Sequence, residues 1–430
     1  WNISYGMTID ALSIITFSVF FYGVYRLWKR MECGKDRVPL HIGGSYTKIG
    51  PLYLRSFLTK GILGSGIYKK IFTGVAHGCV FWGMALLLVG TVMVLLNVVF
   101  GLPVFQGRFN RWFMGVTLNI AGIFVLFGTI FLLAKRIFAP DRLNAIQPRK
   151  GFVFMEVALA LIIASGFVLQ GLRIAHTSYD PGAFVGNWLA TSILNVEGGL
   201  QWHRYLWWAH GLGALAFVAY IPYSPLVHLL LAPVNAGLCV PIPGHKLGNL
   251  DFSGFESDGA DEEPKLGVSM LSEFSTKRLL DFASCLWCGR CHEVCPAAQT
   301  QKPLSPKSVM ITLAEFFNEG KLEDKSLISQ ISNEAIFNCT TCSACMEACP
   351  ISVNQPKAIM RLRQNLVMEQ SEMPDTVAQA LKSLEAREHP FFGTASGKAD
   401  WRKNLDVPIF EKGKTEYLLW LGCSVTYEER

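Results

Sequence analysis

Eight of the twelve cysteines in this 430-residue chain fall into two runs of one spacing. The first is Cys285-Leu-Trp-Cys288-Gly-Arg-Cys291-His-Glu-Val-Cys295-Pro296, and the second is Cys339-Thr-Thr-Cys342-Ser-Ala-Cys345-Met-Glu-Ala-Cys349-Pro350. Such runs in a long chain read as metal ligands, not as the disulfide framework of a small secreted domain. The run C-x2-C-x2-C-x3-C-P is the one that serves a pair of [4Fe–4S] cubanes. Three thiolates two residues apart wrap one face of a cubane, while the fourth, beyond a turn fixed by proline, points away to the partner cluster. One cluster is therefore expected on Cys285, Cys288, Cys291 and Cys349, and the other on Cys339, Cys342, Cys345 and Cys295. Crossed ligation holds two one-electron carriers close together, as a relay requires. The rival is a pair of zinc sites, and four cysteines per run, twice, each run closed by proline, argue against it. Cys33, Cys79 and Cys239 stand outside any motif and read as small buried apolar residues.

Four histidines, His77, His203, His210 and His228, lie in or near long apolar segments. Ionisable residues at membrane depth are costly and are functional candidates for that reason. His77 and His228 both stand near the ends of their segments that face the same side, and opposed neutral imidazoles on two helices can hold a b-type haem axially. His210 precedes His228 by eighteen residues, about 27 Å along an ideal helix, so it cannot serve the same iron. A second, outer haem would have to use His210 with His176, because the second segment offers no further histidine. His203 shares a helix with His210 and is sterically poor as the opposite ligand. His41, His245, His292 and His389 read as ordinary polar residues.

The elements that must position these groups follow from composition. Hydrophobic residues make up 51% of the chain and charged residues 17%, with a mean hydropathy of +0.31, so part of it belongs in lipid. Five apolar stretches of spanning length lie at about 8–28, 71–97, 112–134, 152–172 and 205–231. The loop between the first two carries Lys29, Arg30, Lys35, Arg37, Lys48, Arg55, Lys60, Lys69 and Lys70, and the loop between the third and fourth carries Lys135, Arg136, Arg142, Arg149 and Lys150. The other two loops are poor in basic residues. Positive loops stay in the cytoplasm, which puts the N-terminus outside and everything after residue 231 inside. No cleavable signal sequence is evident. Residues 232–275 are rich in Gly, Pro and acid, around Asp258–Glu263, and read as a linker. A cysteine-rich domain is expected over 276–355, a helical connector over 356–415, and a short apolar strand at Tyr417–Leu421 opens a further domain, 416–430. Leu313, Phe316 and Phe317 recur at helical spacing behind a start signal, Ser305-Pro306, so the cluster domain should be helical. The net charge of +6 does not indicate nucleic-acid binding, and no carboxylate deep in a span indicates a transporter. No glycine fingerprint for a flavin or nicotinamide dinucleotide is present; Gly61–Gly66 lacks the strand–helix context.

The five-span region, with Trp207-Trp-Ala-His210 and Ile221-Pro-Tyr-Ser-Pro-Leu-Val-His228 in its last segment, resembles the cytochrome b subunit of respiratory nitrate reductases, the gamma-type fold. It departs from that pattern in carrying one histidine on the second span where two are usual. The remainder, through Cys285–Pro296, Lys302-Pro-Leu-Ser-Pro-Lys307, Cys339–Pro350 and Leu421-Gly-Cys423, resembles the heterodisulfide-reductase-related iron–sulphur proteins, most nearly membrane-bound oxidoreductases between electron-transfer flavoprotein and quinone. The resemblance implies an all-α protein: a five-helix transmembrane cytochrome b domain over 1–231, a helical dicluster ferredoxin domain, and the start of a CCG domain. In the CCG domain Cys423 would be the first ligand of a further iron–sulphur cluster. It implies haem b and a quinone, a soluble flavoprotein as electron donor, and a multi-pass place in a bacterial or archaeal inner membrane. Lys277, Arg278, Arg290, Arg361 and Arg363 read as exposed basic residues that either steer an acidic partner or form a solvated face. Two rivals are a relay to a heterodisulfide or other sulphur-compound reductase, and a non-catalytic membrane anchor of a redox complex.

Overall fold

An apolar run of spanning length must become a helix in lipid, where no water takes its backbone hydrogen bonds. The computed structural model describes residues 6–35, 46–138, 150–192, 198–239, 266–391 and 395–427, and among them every regular element is helical. The principal helices are α1 (Gly6–Glu32), α2 (Tyr46–Ser56), α3 (Ile71–Phe100), α4 (Leu118–Phe138), α5 (Lys150–Ala175), α6 (Gly199–Tyr220), α7 (His228–Gly237), α8 (Thr276–Ser284), α9 (Pro306–Glu319), α10 (Gln355–Met368) and α11 (Asp375–Arg387). Among the described residues, four helical stretches are long and apolar enough to cross a membrane: Thr8–Glu32, Ile71–Phe100, Gly107–Phe138 and Gly151–Ala175.

The fifth expected span, 205–231, is not one straight helix. Gly199–Tyr223 and Pro225–Gly237 meet at 76°. Pro222 and Pro225 remove two backbone donors at the break, and the Ser224 hydroxyl accepts the Leu226 N–H at 3.1 Å to restart the chain. A straight-helix separation of His210 and His228 therefore does not apply.

The apolar helices neighbour one another in the order α3, α4, α5, α6, α1. Small residues set the closest approaches, as membrane helices require. A Cβ at Gly83 would stand 2.6 Å from Val125, and one at Gly128 would collide with the carbonyl of Ala76, beside His77. Glu156 on α5, which no motif in the sequence singles out, is held by Arg136 of α4 through Nε at 3.3 Å and Nη2 at 3.2 Å.

Two compact units are present, Trp1–Leu250 with Val268–Met360, and Asp251–Gly267 with Arg361–Arg430. In the first, the cysteine-rich part is built around Leu271, Phe274, Leu279, Phe282, Met310, Leu313, Phe317 and Ile336, all buried, each worth about 1.5–3 kcal/mol of apolar burial. The start of α9 is where the sequence places it: Ser305 Oγ accepts from the Ser308 N–H at 3.2 Å, with Pro306 in the first turn. Of the expected linker, 240–265 lies outside the described residues; 232–237 belongs to α7, and Leu271 and Phe274 belong to the core. His41, His245 and the acidic stretch Asp258–Glu263 also lie outside them.

In the second unit, the Leu266 N–H donates to Glu369 Oε1 at 2.5 Å, and His389 is buried, stacked on Tyr427 at 4.0 Å. Tyr417–Leu421 does not form a strand. It forms no regular element, with Tyr417 and Trp420 more than four-fifths exposed; a strand would need a neighbour to complete its hydrogen bonds. Cys33 is exposed rather than buried.

Candidate metal centres

The two cysteine runs adopt one backbone shape. Trp287 and Gly289 in the first, and Thr341 and Ser343 in the second, have positive φ of 55°, 81°, 56° and 61°. These are the residues flanking the second cysteine of each run. Three of the four are not glycine, so strain of about 1–3 kcal/mol apiece is held at matching positions. The alternation of left- and right-handed residues curls each run around the space its thiols face. A short helix follows in each, Arg290–Glu293 and Ala344–Ala348.

The fold brings the runs together. Cys291 interacts electrostatically with Cys285, Cys288 and Cys349, and also with Cys345, while Cys345 interacts with Cys339, Cys295 and Cys342. Cys295 joins Cys339, Cys342 and Cys345 in lining one small cavity of about 20 Å³. Burial, then the neighbouring thiols, pushes the Cys345 thiol up to about 12 and raises those of Cys291 and Cys349. Gathered thiols in apolar surroundings ionise only against a strong positive charge, and iron supplies it. The Val353 N–H donates to Cys349 Sγ at 3.3 Å, the kind of bond that fixes a thiolate ligand and tunes a cluster. Among the described residues, no three His, Cys, Asp or Glu side chains converge at the distances of a single metal ion. Four gathered thiols per set are the donors that a cubane takes.

A loop before α3 seats both runs. Arg290, between Cys288 and Cys291, donates Nη1 to the Gly66 carbonyl at 2.8 Å and Nη2 to the Ile67 carbonyl at 2.9 Å. The Pro350 carbonyl lies so close to Gly66 that a Cβ there would stand 2.6 Å from it. Lys69 pairs with Glu347 at 2.7 Å, and Lys70 pairs with Glu293. These two pairs are partly exposed and worth little singly; the buried Arg290 fork carries the docking. Behind it, Asn235 of α7 donates to the Ile351 carbonyl at 3.2 Å and accepts from Lys277. Lys277 also pairs at 2.7 Å with the fully buried Asp281, which Arg278 pairs with as well. Burial alone would raise the Asp281 carboxyl, but Arg278 and Lys277 outweigh it and hold the group below its ordinary range. Lys277, Arg278 and Arg290 are thus internal struts and not the exposed steering residues that the sequence suggests. The signal available in advance is the position of Arg290 inside a ligand run.

His77 lies about two turns beyond this seat, within electrostatic reach of both His228 and Arg290. His228 Nδ1 is 2.8 Å from the Pro225 carbonyl; in the tautomer that donates this bond, Nε2 keeps its lone pair for a metal. The structure thus brings together the inner pair expected from sequence. It does not bring together His210 and His176. His210 Nδ1 is 2.9 Å from Ser165 Oγ, and its ring faces Gly166, while His176 faces Gly199 and interacts with His203. The ten residues from Gly166 to His176 amount to about 15 Å of helix, far more than one iron spans, so the expected outer haem ligation is not supported. Cys423 begins the short helix Cys423–Tyr427 with no other cysteine in the second unit.

Comparison with known proteins bears on the same residues. The 4Fe-4S dicluster domain family matches residues 281–353. The whole chain is 28% identical to the EtfAB:quinone oxidoreductase of Syntrophomonas wolfei, covering 65% of that protein. Over 72% of the chain it is 25% identical to the probable iron-sulfur-binding oxidoreductase FadF of Bacillus subtilis, covering 55% of it. A third of the chain, 35%, is 28% identical to one polypeptide of the dihydromethanophenazine:CoB–CoM heterodisulfide reductase of Methanosarcina mazei, covering 39% of it. The chain is thus similar to membrane-anchored iron–sulphur oxidoreductases and to heterodisulfide reductase. It spans less than two thirds of the length of the first two relatives. No solved structure matches it.

Proposed function

We propose that this oxidoreductase passes electrons from a soluble flavoprotein of the electron-transfer type to quinone in the membrane, through two clusters and one haem b. The observation that carries the reading is the seat at Gly64–Lys70: it fastens both cysteine runs to the helix that bears His77, next to His228. Bound clusters and haem are one-electron carriers, and the chain's part is to hold them in line and dry. One cluster is assigned to Cys285, Cys288, Cys291 and Cys349, the other to Cys339, Cys342, Cys345 and Cys295, and one haem to His77 with His228. Arg290 fixes the first run against the membrane part and places a positive charge between the two kinds of centre. The basic loops orient the cluster domain to the cytoplasm in an inner membrane, with the broken α6–α7 helix as the fifth span. Cys423 is assigned to a further cluster of a CCG domain. The relative named for EtfAB and quinone supports this donor and acceptor.

The likeness to a heterodisulfide reductase favours a second reading, in which a thiol–disulfide couple exchanges electrons with the clusters. Membranes holding the protein, supplied with reduced electron-transfer flavoprotein, should reduce a short-tailed naphthoquinone. Failure with the flavoprotein, together with reduction driven by a dithiol, gives the function to the second reading.

A further inference from the structure

The break between α6 and α7 opens a cavity of about 320 Å³ that borders the assigned cluster ligand Cys285 and includes neither assigned haem ligand. One wall is the inner end of α1, with Gly23, Arg26, Leu27 and Arg30. A second is the break itself, Pro222–Pro225 and Val227, and the third belongs to the cluster domain and includes Phe282 and Cys285. Neither His77 nor His228 lines it, so it is not the haem slot. We infer that this cavity is the binding site for the ring of a membrane quinone, a proposal that rests on the quinone reading above.

Four observations carry it. The volume lies at the lower end of the range for small-molecule sites, about 300–1,000 Å³, which suits a one- or two-ring head group whose tail stays in lipid. The lining combines apolar side chains with a few convergent donors, the elements such sites use. Its charge is unbalanced: Arg26 and Arg30, one turn apart, interact with each other, and no carboxylate among the described residues lines the space. Arg30 spends Nη1 on the Asn318 carbonyl at 2.7 Å, whereas Arg26 has only the Tyr223 ring, 5.9 Å away, as a partner among the described residues. A guanidinium so placed is a donor for a ring carbonyl and favours the electron-rich reduced form. Finally, the walls are shared with the redox groups, since Cys285 is in one wall and the Pro225 carbonyl that holds His228 belongs to another. A phospholipid head group offers phosphate to the same arginines but has no ring to fill the apolar side.

The test uses the full chain in membranes and an azido-naphthoquinone photolabel. Label is expected on the peptides Gly23–Arg30 and Pro222–Val227, competed by menadione and not by phosphatidylglycerol vesicles. Arg26→Gln should weaken menadione binding about tenfold or more while the cluster EPR and haem spectra stay unchanged. Ala314→Leu, which fills the cavity from the cluster domain, should exclude the label. If the wild type reduces menadione yet the label lands elsewhere, or phosphatidylglycerol displaces it, this site assignment falls and the quinone reading stands. If the wild type neither binds nor reduces menadione, both fall.

Discussion

Single side chains decide which cofactor can sit where. The Pro225 bond holds His228 in the orientation that the proposed haem ligation needs, whereas His210 is engaged by Ser165 at a different depth from His176. His228→Ala should therefore abolish the low-spin α-band of a b haem, and His210→Ala should leave it at full height; optical spectra of reduced membranes check both. A His228→Ala protein with an intact low-spin band would show that the iron is held elsewhere. The crossed contacts of the cysteines give a second prediction. Cys295→Ala should remove or convert the cluster of the other run, on Cys339, Cys342 and Cys345, and leave the cluster of its own run. Potentiometric EPR would show which of the two signals disappears, and loss of the first run's own signal would overturn the crossed assignment.

Elements decide how the centres are lined up. The Gly64–Lys70 turn takes Arg290 on its carbonyls and has Pro350 packed against Gly66, where any Cβ meets the Pro350 carbonyl oxygen. Gly66→Ala should cost about 1–3 kcal/mol of docking and slow reduction of the haem by flavoprotein several-fold, with iron content unchanged. Stopped-flow reduction monitored at the haem band reads this directly; an unaltered rate would mean the seat does not set the relay. Asp281 is the second joint, since it neutralises Lys277, which reaches Asn235 on α7. Asp281→Asn leaves cations without their buried partner and should cost about 3–5 kcal/mol. The carboxyl lies below its ordinary value when folded, so its contribution is full above about pH 4 and is lost as pH falls through the folded value. Melting temperatures of the wild type and Asp281→Asn should differ widely at neutral pH and converge in acid.

At the scale of the whole molecule, membrane helices and cluster domain make one compact unit, Trp1–Leu250 with Val268–Met360. The proposed relay needs that: its centres must keep fixed spacing through every turnover. Two complete runs call for about eight non-haem irons per chain, and iron analysis of protein purified without oxygen should find them. The orientation is open to a probe already in the chain. Cys33 is exposed at the basic end of α1, so a membrane-impermeant maleimide should label it in inside-out vesicles and spare it in intact cells. Equal labelling in both would overturn the topology proposed from the loop charges.

The local signals are complete in the sequence because each rests on short-range chemistry. The cysteine spacing encodes a cluster-binding run, the apolar stretches encode helices because lipid leaves the backbone no other partner, and Ser305-Pro306 encodes a helix start. What the sequence does not contain is direction and partnership across the chain. Arg290, Lys277 and Arg278 are charged and read as a surface, but burial beside carbonyls and a carboxylate makes them struts. His176 and His210 read as a pair because both lie toward one side, and only packing shows them about 15 Å apart along the helices. The bend at Ser224 is written in two prolines, yet its consequence, a cavity closed by α1 on one side and the cluster domain on the other, exists only in three dimensions. Tertiary structure decides such features because they depend on which distant surfaces meet, and no local propensity carries that information.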